Sequence, residues 1–211
     1  MSIRLLHGEA LIPWLGALAR LRLAVFREWP YLYEGNEADE RAYLRCYAGN
    51  PKALVVAAFA GGEPVGMASC LPLSCESEAI VAPFRAAGLD PARFFYLAES
   101  VLLAPWRGRG IGVAFFAARE SFARSTSLAE LATFCGVLRP EDHPERPPGW
   151  TGLSTFWRHR GYRQEPRLCC SLSWPERGGE TVEHVLRFWL KPLGRTASPW
   201  TEPPGGAMLG P

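Results

Sequence analysis

The stretch VLLAPWRGRGIGVAFFAAR, from Val101 to Arg119, constrains the fold more than any other. Gly108, Gly110 and Gly112 alternate, with Arg107 and Arg109 beside them. The apolar run before them reads as a strand. The run after them reads as a helix with Ile111, Ala114, Phe115, Ala118 and Phe122 on one face. A strand that enters a helix through a glycine turn builds an anion site, because the first helical N–H groups are unpaired and the dipole is positive there. Glycines let the backbone approach the anion, and the two arginines offer charge-assisted donors. The expected ligand is a phosphate or pyrophosphate. A dinucleotide fingerprint needs a third glycine where Val113 or Phe115 stands, and a P-loop needs a Gly-Lys-Ser/Thr step that is absent here.

The rest of the chain reads as elements of a mixed sheet. SIRLL is a short strand. Apolar residues recur at helical spacing from Leu11 to Glu28, and Pro30 and Gly35-Asn36 end that run. Asn36 is placed to cap a second helix, with Glu37, Asp39 and Glu40 in its first turn complementing the dipole. ALVVAAFAGGEPVGMASCLPL is a hairpin about Gly61-Gly62. SEAIVAPFRAAG is a short helix, RFFYLAESVLL one long strand carrying Glu99, and ELATFCGVL a buried strand. RPEDHPERPPGW is a proline-rich loop. LSTFWRHRGY is a short helix stopped by Gly161, and LCCSLSW and VEHVLRFWLKPL are two closing strands. The order β-αα-ββ-α-β-α-β-α-ββ predicts a mixed α/β sheet rather than a doubly wound one. Residues 1–193 are expected to form a single domain, and the Gly/Pro-rich tail 194–211 to be poorly ordered.

Composition sets the remaining bounds. With 48% hydrophobic residues among 211, the chain can bury a core. A net charge of +2 gives no argument for nucleic acid as a partner. The start MSIRLLHGEALIPW has no signal-peptide pattern, and no apolar run is long enough for a membrane span. The six cysteines (Cys46, Cys70, Cys75, Cys135, Cys169, Cys170) have no metal-ligand spacing, which predicts no metal and buried, reduced thiols in a cytoplasmic protein.

The spacing that does fit the junction is R-x-x-G-x-G, at Arg107, Gly110 and Gly112. This resembles the acetyl-CoA pyrophosphate loop of the GNAT superfamily of N-acetyltransferases. The element order resembles that family from Ser2 to Leu193, and FWRHRGY (Phe156 to Tyr162) resembles its later helix-to-strand segment. The resemblance implies an acyl-CoA N-acyltransferase fold, a mixed and mostly antiparallel sheet flanked by helices. It implies acetyl transfer from acetyl-CoA, as co-substrate, to the primary amine of a small molecule or protein, by a monomer or homodimer. A non-catalytic acyl-CoA sensor on the same fold is the alternative.

By the same resemblance, backbone groups at Ser100, Val101 and Leu102 hold the pantetheine arm and the developing oxyanion. Arg107, Gly108, Arg109, Gly110, Ile111 and Gly112 hold the pyrophosphate. The family often has Pro three residues before the Arg, where this chain has Ala104. Glu99 is either the general base for the amine or a solvated or salt-bridged strand residue, with Arg93 or Arg119 as partner. Trp157 stands where the family's acidic Tyr usually stands. An indole cannot donate that proton, so Trp157 is a packing surface for the pantetheine or part of the core, and Tyr162, another group or a water is the acid, if one is needed. Glu28, Tyr31, Tyr33, Asp142 and His143 are candidates to line the acceptor site, where aromatic and acidic groups suit a cationic amine.

Overall fold

The computed structural model describes residues 1–126 and 129–194; the expected tail lies outside them from residue 195 onward. Strand β1 (Ser2–Leu6) leads through a tight turn at Gly8–Trp14 into helix α1 (Leu15–Phe26), followed by α2 (Glu37–Gly49). Then come β2 (Leu54–Ala60), β3 (Glu63–Pro72), α3 (Glu78–Ala86), β4 (Phe94–Tyr96), β5 (Ser100–Leu102) and α4 (Ile111–Thr126). The chain closes with β6 (Leu131–Val137), α5 (Ser154–His159), β7 (Arg163–Pro175) and β8 (Thr181–Pro192). The strands form one eight-stranded sheet in the order β1-β2-β3-β4-β6-β8-β7, with β5 on β3. Only the β4–β6 pairing is parallel among these.

Several local expectations hold for the stated reasons. The Asn36 side chain accepts the Asp39 N–H at 3.0 Å and so caps α2. Gly61 and Gly62 both take positive φ, as a two-residue hairpin turn requires. Other expectations need correction. The first helix starts later than Leu11, because Gly8–Trp14, with Pro13 inside, winds more tightly. β7 starts at Arg163, well before the LCCSLSW run, and a register shift between Gln164 and Cys169 hides its alternation. The buried side of α4 is Ile111, Phe115, Phe116, Arg119, Glu120 and Ala123, so it is rotated from the expected face and takes in two charged residues. All six cysteines are free, but Cys46 and Cys75 are exposed.

The core has two halves, one on each face of the sheet. On one, Leu15, Leu18 and Leu44 of α1 and α2 share a cluster with Val55 and Met67 of the sheet, and Phe84 of α3 packs on Phe94 and Phe188. On the other, Phe115 and Phe116 of α4 pack on Phe95, Phe134 and Trp189. Each buried phenylalanine stabilises the sheet–helix contact by about 1.5–3 kcal/mol.

Candidate active site

RFFYLAESVLL is not one strand. Leu71 pairs with Tyr96, and Ala68 pairs with Ser100. Ser69 and Cys70 therefore face three residues, Leu97, Ala98 and Glu99, and the extra residue makes a β-bulge. Ser69 meets both ends of it: its carbonyl accepts from the Ala98 N–H at 3.1 Å, and its N–H donates to the Glu99 carbonyl at 3.1 Å. The bulge turns two consecutive side chains the same way. Ala98 packs on the α1/α2 half of the core, and Glu99 reaches Arg22 of α1 and Tyr43 of α2.

Beside the bulge the sheet splits. β4 pairs with β6 up to Tyr96–Thr133, and the Leu97 N–H still reaches the Thr133 carbonyl at 2.7 Å. Past that point β5 pairs with β3, while Cys135 and Val137 of β6 are in register with β8. Backbone groups alternate sides along a strand. The Leu138 N–H bonds to Val185, so Cys135 and Val137 turn their N–H and C=O groups to the gap. Likewise the Leu103 N–H bonds to Val65 and the Glu99 carbonyl to Ser69, which leaves Ser100 and Leu102 facing the gap from the other side. Ser100 is exposed although it lies in the middle of the sheet.

The glycine turn follows at once. Gly108 and Gly110 have φ of 75° and 81°, a region that favours glycine. The Ala114 N–H makes the first bond of α4, to the Gly110 carbonyl at 3.0 Å, so the N–H groups just before it have no helical acceptor. Both arginines have protein partners beside the turn. Arg107 donates from Nε to the Leu102 carbonyl at 2.9 Å and from Nη2 to Glu28 at 2.7 Å. Arg109 lies over the Trp106 ring, 5.0 Å from its centre.

Glu99 is 8% exposed, and among the described residues its carboxylate pairs with Arg22 rather than with Arg93 or Arg119. Its carboxylate lies 2.6 Å from Arg22 Nη1 and accepts the Tyr43 hydroxyl at 2.8 Å. Arg22 also bonds Glu40. Burial alone opposes the Arg22 charge, but Glu99, Tyr43 and Glu40 hold it above its ordinary range. From Tyr43 a chain of hydroxyls runs outward: 2.8 Å to the Tyr47 hydroxyl, then 3.4 Å to Glu76 Oε1. Burial, helped by Glu99, pushes the Glu76 carboxyl up.

The other expected residues divide. Burial raises the Tyr31 hydroxyl, with Cys135 and Glu99 adding and Arg22 and Arg139 opposing, so Tyr31 shares the surroundings of Glu99. Tyr33 is pushed up to about 12 by burial and by Glu40, and its hydroxyl folds over Gly35. Glu28 is held by Arg107. Asp142 and His143 border an open hollow of about 530 Å³ within the proline-rich loop. There the His143 ring packs 4.8 Å from Trp29, and Asp142 is exposed. Trp157 packs on Phe134 and Trp189, at 5.1 Å from each. Its ring leaves room for no side chain at Gly136, where a Cβ would lie 2.8 Å from it. Tyr162 is buried and donates to Glu120 at 3.0 Å, so it belongs to the core.

Sequence reasoning missed Arg22, Tyr43, Tyr47 and Cys135. Cys135 lines the gap, with Sγ 3.1 Å from the Tyr96 hydroxyl. Nothing local marks the first three apart from ordinary helix residues. Among the described residues, no group of three or more His, Cys, Asp or Glu could hold a metal ion, and no helix is long and apolar enough to cross a membrane.

Solved structures share the fold of this chain. An aminoglycoside 6'-N-acetyltransferase complexed with coenzyme A is 15% identical with a TM-score of 0.59, covering 94% of this chain and 100% of that one. The ribosomal-protein-alanine N-acetyltransferase of Brucella melitensis is 17% identical with a TM-score of 0.59, covering 91% and 99%. The aminoglycoside 6'-N-acetyltransferase of Enterococcus faecium is 14% identical with a TM-score of 0.59, covering 94% and 100%. At these identities the likeness is one of fold. No curated protein sequence matches the chain. The model of the acetyltransferase (GNAT) family matches residues 19–143. With more than half of its length inside that match, the chain belongs to the acetyltransferase (GNAT) family and is an acyltransferase.

Proposed function

We propose that the protein moves an acetyl group from acetyl-CoA to a primary amine by direct attack, and that residues 1–193 act as one domain in doing so. The observation that carries this reading is the bulge beside the glycine turn: a backbone-lined gap opens at Ser100, a few residues before the start of α4. An extended pantetheine arm fits such a gap, because Ser100 and Leu102 offer backbone partners on one side and Cys135 and Val137 on the other. The turn from Arg107 to Gly112 takes the pyrophosphate on the helix N-terminus. Arg107 exchanges the Leu102 carbonyl for that anion, a swap its half-exposed side chain allows. Trp157 packs beside the gap as an apolar wall.

Acetyl-CoA supplies an activated thioester carbonyl. The Ser100 N–H holds the oxyanion that develops as the amine attacks; one such donor contributes about 10²–10³-fold. An amine with pKa near ~10.4 arrives protonated. Glu99 accepts its proton, directly or through one water, and Tyr43 and Tyr47 connect Glu99 to Glu76. The acceptor lies between the α1–α2 connection, with Tyr31, and the proline-rich loop. The net negative balance of Glu99, Glu40 and Glu76 against Arg22 favours a cation there. Free thiols suit a reducing, cytoplasmic setting.

The test is a CoA-release screen with acetyl-CoA against small amines, polyamines, aminoglycosides and peptide N-termini. Release above hydrolysis with at least one amine is expected. Release with none overturns the reading.

A further inference from the structure

Arg119 sits on α4 with 1% exposure, the largest of the fully buried side chains. Its Nη1 donates to the Ser69 carbonyl at 3.2 Å and to the Glu99 carbonyl at 3.1 Å. Its Nη2 donates to Ser100 Oγ at 2.8 Å, and its Nε to the Phe115 carbonyl at 3.2 Å. These acceptors are all neutral oxygens. Taking a guanidinium out of water without a bonded carboxylate is costly, and burial lowers its pKa despite nearby Cys70, Tyr162, Glu99 and Glu120. Three of the four acceptors belong to the bulge residue Glu99, its partner Ser69 and the next residue Ser100, so the charge is directed at one region of the sheet.

We propose that Arg119 is a positioning residue for acetyl transfer: it fixes and polarises the Glu99–Ser100 peptide so that the Ser100 N–H faces the thioester carbonyl. This rests on the reading above. The C=O and N–H of one peptide point in opposite directions. Ser69 and Arg119 pin the Glu99 carbonyl toward β3 and α4, so the Ser100 N–H points into the gap. A bulge interrupts the ladder that would otherwise set that angle, and the guanidinium restores the constraint. A charged donor on the carbonyl also strengthens the N–H of the same peptide, most of all in a low-dielectric interior. The Ser100 N–H is thereby a better oxyanion donor before any substrate arrives.

Kinetics and NMR test this. Arg119→Lys keeps the charge but loses the fork; Arg119→Met loses both. Both are expected to lower kcat, by about 10- to 100-fold, less than or equal to outright loss of a donor. Acceptor KM and CoA affinity stay within about twofold, and Lys retains more activity than Met. A loss of CoA affinity equal to the loss of kcat, or an unchanged kcat, overturns the proposal.

The wild-type protein gives a second readout that needs no folded variant. Titrated with an unreactive ketone analogue of acetyl-CoA, it should show the Ser100 amide proton and the Arg119 Nη protons shifting together. A Ser100 shift with Arg119 unmoved overturns the proposal and leaves the reading of the gap intact. No Ser100 shift overturns that reading, and the proposal with it.

Discussion

The Glu99 carboxylate stands 2.6 Å from the Arg22 guanidinium, and both are buried between the bulge and the first two helices. Arg22 also holds Glu40, so one cation serves two buried carboxylates. Removing it leaves both carboxylates without their cation. Arg22→Met is expected to destabilise the fold by about 3–5 kcal/mol in urea unfolding, the usual cost of breaking a buried pair from one side. A loss under about 1 kcal/mol would show that the carboxylates find other partners.

Glu99→Gln keeps the shape and leaves Arg22 paired with Glu40, so the fold survives. If Glu99 takes the amine proton, kcat falls by about 10²–10⁴-fold with acetyl-CoA binding nearly intact. Activity returns in part at high pH, where more amine is already free base. Wild-type kcat across the pH range would leave Glu99 a structural partner of Arg22.

Tyr43→Phe cuts the hydroxyl chain between Glu99 and Tyr47. The lost hydrogen bond costs about 0.5–1.5 kcal/mol of stability. A relay role predicts in addition a kcat several-fold lower, with a larger solvent isotope effect than the wild type. A stability loss with kcat and isotope effect unchanged limits Tyr43 to packing.

Glu76 gives the fold a pH dependence. Its folded-state pKa is raised above 4.5 by burial, so the native state holds the proton more tightly than the unfolded chain. Stability from this group is present below about pH 4.5 and is lost as pH rises through the folded value. Glu76→Gln is therefore expected to melt higher than the wild type at pH 7, with the difference shrinking as the pH falls toward 4.5. Melting curves across that range check it, and a constant difference assigns the effect to something other than ionisation.

Gly110 has φ of 81° and open space where a Cβ would stand. Gly110→Ala places a methyl in that space and strains the turn by about 1–2 kcal/mol. CoA affinity is expected to fall at least about tenfold, read by calorimetry, because the backbone can no longer approach the pyrophosphate. Unchanged affinity would place the anion elsewhere.

Element order, the Asn36 cap, the Gly61-Gly62 turn and the Arg107–Gly112 loop were legible in the sequence. Each depends on residues a few positions apart: periodicity, a side chain reaching its own backbone, or a φ that favours glycine. The bulge was not legible, because an extra residue in RFFYLAESVLL is defined only against the register of β3 across from it. Nor were the partners of Glu99. Arg22 and Tyr43 lie on two other elements, and an ion pair between helix and strand leaves no local pattern. Arg119 was legible only as one of two cations offered to the Glu99 carboxylate, whereas its bonds run to neutral oxygens. Only the tertiary structure supplies the backbone oxygens of Ser69 and Glu99 that let it stay inside.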